Sequence, residues 1–222
     1  MGSLDAKIEE WPTNARDAIA IQKRLAHRVR REDEFAELKC IAGIDAAFPQ
    51  GGRRTRAAIV IMDVADGEIV ETQCVEQDTR FPYVPGLLSF RELPAMLAAL
   101  AKCSRRPDMI LCDGQGYAHP RRFGSACHLG VLTDIPSIGV GKSRLCGAHA
   151  NVPTPRGRWR SLKHRDETIG VVLRTRANVA PLYVSCGHRV SLASARRIVL
   201  RWAHQYRLPE PIRAADRLAG SD

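Results

Sequence analysis

"LSFRELPAMLAALAKCSRRPDMILCD" (residues 88–113) is the stretch where the hydrophobic period of the chain changes. Residues 88–103 predict a helix, and Pro94 falls within its first turns, where a missing N–H is tolerated. Residues 108–113 follow as a short apolar run closed by an aspartate, which reads as a buried strand. A helix leading into a buried strand is half of a crossover, and crossovers join parallel strands. Upstream the pattern differs. "KCIAGIDAAF" (39–48), "RAAIVIMDV" (56–64) and "EIVETQCVE" (68–76) read as strands separated only by short turns, an antiparallel meander. Downstream the pattern predicts a helix over 121–132, strands at 136–141, 168–175 and 181–187, and a closing helix near 191–206. A further helix is expected over 14–39, from Ile19, Leu25, Val29 and Phe35.

Three meandering strands followed by alternating helix and parallel strand is the plan of ribonuclease H-like domains. The expected fold class is therefore α/β, a ribonuclease H-like mixed sheet with an antiparallel meander plus parallel strands, flanked by helices. The expectation is one catalytic domain over 1–222, with its core at about 16–216 and flexible termini.

Composition narrows the function classes. A chain of 222 residues can bury one sizeable core, and 45% hydrophobic with 26% charged residues excludes global disorder. No run approaches the ~18–20 apolar residues of a membrane span, and the opening "MGSLDAKIEEWPTNARD" lacks the apolar core of a signal peptide. The seven cysteines are odd in number and form no C-x-x-C pair, which points to reduced, packing cysteines in a cytoplasmic protein. Thirty-four Lys and Arg against 24 Asp and Glu give a net charge of +10, the footprint of a polyanionic partner such as nucleic acid.

Two acids close two buried strands: Asp45 in "IAGIDAAF" and Asp113 in "ILCDG". A buried carboxylate without a partner is costly, and ligands gather at the carboxyl ends of strands in open α/β sheets. Glu92 has two readings. With Ser89 it has the S-x-x-E spacing of a capping box, and from the first turn of its helix it could also add an oxygen ligand. Asp216 in "PIRAADRLA" reads as a surface acid or a fourth carboxylate. Converging acids would make an oxygen-rich cage for Mg²⁺ or Mn²⁺. "GVGKSRL" (139–145) fails as a P-loop, because position 136 is proline where that motif needs glycine. Lys142 is left as either a phosphate grip or a solvated lysine. His119 precedes Arg121 and Arg122, which would add phosphate-binding capacity near a helix start. In "FPYVPGLLSF" (81–90), two prolines stiffen a tip carrying Tyr83 and Val84: a packed structural loop, or a wedge that opens stacked bases.

Five strings carry a resemblance: "PYVPGLLSFRELP" (82–94), "DGQGYAHPRRFGSACHLGV" (113–131), "DIPSIGVGKSRLCG" (134–147), "PLYVSCGHRVSL" (181–192) and "LPEPIRAADRLA" (208–219). Collinear from about residue 16 to 216, they resemble the endonuclease V family, the deoxyinosine 3′ endonucleases. The resemblance implies Asp45, Asp113 and Glu92 as metal ligands and catalytic carboxylates. It puts Asp216 where the family has an Asp or a His, and Lys142 near the scissile phosphate. Tyr83 would be the wedge, and Gly86, Leu88 and Gly114 would line the lesion pocket. Pro82, Val84, Pro85, Gly116, His119 and Arg121 would complete the substrate-contacting set.

The implied activity is Mg²⁺-dependent hydrolysis, with Mn²⁺ able to substitute. It cuts the second phosphodiester bond 3′ to a deaminated base, chiefly deoxyinosine, and leaves a 3′-hydroxyl and a 5′-phosphate. The implied partner of this DNA repair enzyme is DNA containing deaminated bases, with no membrane, and the protein acting as a monomer. Two alternatives stay open: the same site used on inosine-containing RNA, and a non-catalytic nucleic-acid binder. Against the second stands the joint retention of Asp45, Glu92, Asp113 and Lys142. Departures from the family strings are Gly141 for alanine, Cys127 for serine and a looser "GIDAAF". Gly141 could loosen the placement of Lys142.

Overall fold

In the computed structural model, which describes residues 11–221, eight strands form one continuous sheet. In chain order they are β1 (Cys40–Ala47), β2 (Arg54–Asp63), β3 (Ile69–Asp78), β4 (Met109–Asp113), β5 (Ser137–Gly141), β6 (Trp159–His164), β7 (Glu167–Leu173) and β8 (Leu182–His188). The helices are α1 (Ala15–Ala26), the single turn α2 (Pro49–Gly52), α3 (Leu88–Ala101), α4 (Ser125–Thr133), α5 (Leu192–Trp202) and α6 (Glu210–Gly220). The strand order is β3-β2-β1-β4-β5-β8-β7-β6. β1–β3 are the expected meander, and β1, β4 and β5 pair in parallel. The fold is the ribonuclease H-like mixed sheet expected from the sequence.

Alternation sends the two sides of each strand into different cores. Ile41, Leu111, Val140 and Val184 pack against α5 and α6, whereas Ala42, Ile44, Ile110 and Cys112 pack against α3 and α4.

Four local expectations change. The helix predicted over 14–39 ends at Ala26, because the chain beyond it bonds to the segment after β8. Arg189 N–H donates to the Arg30 carbonyl at 2.7 Å, and Asp33 accepts from Ser191 N–H and from the Ser194 hydroxyl. The C-terminal strands are antiparallel, not parallel: β6 to β7 and β7 to β8 are joined without helices, and β8 runs against β5. β6 itself carries too faint a period to be read, with Leu162 its one buried residue. Finally, Pro94 lies well inside α3 and frees the Phe90 carbonyl, which accepts instead from the Trp11 indole N–H at 2.7 Å.

All seven cysteines are free. Among the described residues no helix is long and apolar enough to cross a membrane. The termini expected to be flexible include residues 1–10 and 222, which lie outside the described residues.

Candidate active site

The parallel register sets Ile44 beside Cys112, so the next residues, Asp45 and Asp113, are neighbours where the β1–β4 pairing stops, Asp113 as the last residue of β4 and Asp45 just before the end of β1. The third acid arrives from α6. That helix starts against Gly43, where a side chain would overlap the Pro211 carbonyl, and it buries Ile212 and Ala215 on the sheet. Asp216, one residue on, is thereby aimed at the ends of β1 and β4. Carboxylate oxygens of Asp45, Asp113 and Asp216 all lie within 4.8 Å of one another. Lys142, just past β5, places its ammonium 2.6 Å from Asp113 Oδ2 and 3.2 Å from Asp216 Oδ1.

The electrostatics follow from this crowding. Burial, then the Asp113 charge, pushes the Asp45 carboxyl far above the usual range, and Asp45 shares a hydrogen bond with Asp216. Burial also raises Asp113, against the pull of Lys142. Lys142 is held firmly charged, because its two aspartates outweigh its partial burial.

Glu92 approaches from the other face of the sheet, on α3. It is buried, and its Oε2 accepts from the Ser125 hydroxyl at 2.9 Å. Burial lifts it to about 8, with Asp45 and Asp113 adding to the effect and Ser125 opposing it. The capping box does not form. Ser89 lies inside α3, whose N-cap is Leu87, and its hydroxyl meets His128 Nδ1 at 3.1 Å. His128, stacked on Trp11 and edge-on to Phe90, is pushed down to about 3 by burial and stays neutral.

A cleft of about 490 Å³ opens over these groups, bounded by Asp45, Glu92, Asp113, Lys142 and Asp216. Its far wall is the loop carrying Tyr83, Val84, Pro85 and Gly86, with Leu88, Gly114 and His119. Tyr83 is 68% exposed at the tip. Phe81 and Leu87, buried against Phe90 and Ala18, anchor the two ends of this loop.

Pro82, Gly116 and Arg121 are not among the residues that line the cleft. Gly116 is packed where a side chain would overlap the Cys186 carbonyl. Arg121 points inward and donates to the Gly86 carbonyl at 2.7 Å and to Gln22 Oε1 at 2.5 Å. His119 Nε2 meets the same carbonyl at 3.0 Å, and Gln22 Nε2 donates to it at 3.1 Å. Burial holds His119 down at about 4, so it is neutral. Its Nδ1 accepts from Arg121 N–H, which leaves Nε2 as the donor to Gly86. Arg122 is paired with Glu167 at 2.8 Å. The two arginines expected to grip phosphate are thus tied to protein groups, and three side chains fix Gly86, whose φ of 77° suits glycine.

Sequence reasoning missed Gln22, Ser125 and Gln115. The signal for Gln22 was a glutamine among the apolar positions of α1. Gln115 fills the space that a side chain at Gly141 would take, and donates to the Ser143 carbonyl at 2.9 Å. The segment bearing Lys142 is therefore pinned, not loosened, where Gly141 stands.

A profile of the Endonuclease V family matches residues 23–217. The chain belongs to the endonuclease V family. Endonuclease V of Nostoc sp. (strain PCC 7120) is 51% identical over 212 residues, covering 95% of this chain and 96% of its own. The crystal structure of Endonuclease V from Streptomyces avermitilis superposes with a TM-score of 0.90 at 40% identity, covering 95% and 93% of the two chains. In fold alone, the chain also matches Endonuclease V of Ciona intestinalis, solved in complex with a 24mer DNA containing an inosine followed by a ribo-adenosine. That match has a TM-score of 0.78 at 24% identity, over 92% of this chain and 95% of the other. The protein is an endonuclease.

Proposed function

We propose that the protein is a Mg²⁺-dependent DNA repair endonuclease. It recognises deaminated bases, chiefly the hypoxanthine of deoxyinosine, and hydrolyses the second phosphodiester bond on the 3′ side, leaving a 3′-hydroxyl and a 5′-phosphate. The observation that carries this reading is the meeting of Asp45, Asp113 and Asp216 around Lys142, at the floor of a cleft walled by an exposed tyrosine.

The donor set fits a hard divalent ion. It is made of carboxylates without cysteine or histidine. Asp113 Oδ2 is buried without a hydrogen bond of good geometry, although the Lys142 ammonium lies near it. Asp45, Asp113 and Asp216 would hold the ion, with Glu92 supplying further negative charge from the opposite face. Bound there, Mg²⁺ or Mn²⁺ would stabilise charge on a phosphodiester oxygen and make water more acidic.

The remaining roles belong to the chain. Lys142, beside Asp113 and Asp216, would hold the phosphate at the scissile bond. The rigid loop lets Tyr83 fill the gap left by an extruded base, with Pro82, Val84 and Pro85 keeping the tip stiff. Gly86, Leu88 and Gly114 face that base, and the open backbone at Gly114 admits it closely. His119 and Arg121 act through Gly86. DNA is taken as the substrate ahead of inosine-containing RNA, and the two substrate arms of the test below decide between them.

An end-labelled duplex with one deoxyinosine, and its RNA counterpart, incubated with Mg²⁺ or EDTA, test the reading. The expected result is a Mg²⁺-dependent nick in the DNA, lost in Asp45→Ala and Asp113→Ala. No nick, or cutting of RNA alone, overturns it.

A further inference from the structure

One cationic surface takes no part in this scheme. On the edge strand β6, Trp159 is 38% exposed, and the Arg196 guanidinium lies over its ring at 4.5 Å. Arg158 and Arg160 precede and follow it along the same sheet edge and are exposed, with Arg160, paired to Val172, on the opposite face of the sheet. Among the described residues, none of these three arginines is ion-paired to a carboxylate. One guanidinium, that of Arg196, thus covers the exposed ring, and two more charges stand beside it in sequence without a carboxylate to neutralise them.

Register places this cluster relative to the acid group. Trp159 pairs with Leu173, and Leu173 with Leu182, the neighbour of Tyr183, which pairs with Gly141 at the end of β5. Trp159 therefore stands at the level of Lys142, at the same end of the sheet as the aspartates. Paired residues share a face, so Trp159 points with Leu173 and Leu182 toward α5 and α6, the side on which Asp216 sits. Three strand spacings separate β5 from β6, roughly 14 Å. At about 3.4 Å per nucleotide along a B-form strand, that is roughly four nucleotides. The loop between α5 and α6 lies over the intervening strands: Arg207 bonds to the Lys142 and Pro181 carbonyls, and its neighbour Tyr206 is 43% exposed.

We propose that Trp159 and Arg196, with Arg158 and Arg160 along the same sheet edge, form a second nucleic-acid contact surface that grips the strand flanking the cleavage point, about four nucleotides from Lys142 and further from Asp113 and Asp45. The arginines meet phosphates and the ring offers a stacking platform for a base. Unpaired guanidiniums beside an exposed ring, in line with the cleft, fit a nucleic-acid strand. The proposal rests on the nuclease reading of the cleft.

The test is fluorescence anisotropy in EDTA with labelled single-inosine duplexes, one with long flanks of about fifteen nucleotides and one trimmed to about three, short of the reach just given. Arg158→Gln with Arg160→Gln touches exposed side chains only. It should lower the salt slope of binding to the long duplex by nearly two, and leave the trimmed duplex unaffected. Trp159→Ala should weaken the long duplex by roughly five-fold or more, with Trp159→Phe retaining most of the affinity. Equal losses on both duplexes, or wild-type affinity in the arginine double variant, overturn the proposal. The two readings fail separately. Wild-type nicking at inosine with flank-independent variants sinks only this surface. Flank-dependent binding without any nick sinks only the nuclease reading.

Discussion

Gly43 of β1 and Pro211 of α6 are in direct contact: a side chain at Gly43 would overlap the Pro211 carbonyl. This close approach seats the start of α6 on the strand that bears Asp45. Asp216 reaches the other two aspartates only because the helix is seated there.

Gly43→Ala should therefore act on the site from a distance. Overpacking of this kind costs about 1–3 kcal/mol, so the melting temperature falls. Divalent-ion affinity, measured by calorimetry, should fall as well, and Asp216→Ala alone should reproduce the second effect without the first.

Among the described residues, Ser125 is the one side chain hydrogen-bonded to Glu92. Ser125→Ala leaves a buried carboxyl without its donor, at a cost of about 1–3 kcal/mol. Because that bond lowers the Glu92 pKa, its loss should move any Glu92-dependent limb of the pH–activity profile upward. Ser125→Thr should keep the wild-type profile, and an unmoved profile in the alanine variant would separate Glu92 from the chemistry.

Stability should fall as pH rises from about 6.5 to 8. Glu92 is raised from an ordinary 4.5 to about 8, and Asp45 is raised as well, so between those values the folded protein holds protons that the unfolded chain has released. Below pH 6.5 the buried, neutral His119 and His128 oppose this, because the unfolded chain takes up protons there that they refuse, so the metal-free protein loses stability from about pH 6.5 toward pH 8. Mg²⁺ should do the opposite, stabilising more at pH 8 than at about pH 6.5, because it competes with those protons. Thermal melts at the two pH values, with and without Mg²⁺, check this. Asp45→Asn should raise the metal-free melting temperature by relieving like charge, while removing the Mg²⁺ effect.

The Gly86 carbonyl sets the Tyr83 loop. Arg121→Ala removes its shortest bond and the contact with Gln22, and should weaken binding to an inosine duplex roughly ten-fold. Arg121→Lys should recover little, since one ammonium does not match the forked contact. The turnover of bound substrate should change far less, which a comparison of kcat and KM will show.

The sequence by itself determined the meander, the helix-to-strand switch at 88–113 and the two acids at strand ends, because period, turn residues and buried charge are local signals. It also carried the family strings. Tertiary structure decided the rest. Ser89 and Glu92 have capping-box spacing, yet they turn to His128 and Ser125, partners 39 and 33 residues away. Arg121 looks like a phosphate grip until the fold brings Gly86 and Gln22 beneath it. Asp216 looks like a surface acid until a glycine lets α6 settle on β1. Each of these outcomes depends on which groups meet across the sheet, and spacing along one segment holds no record of a partner supplied by another.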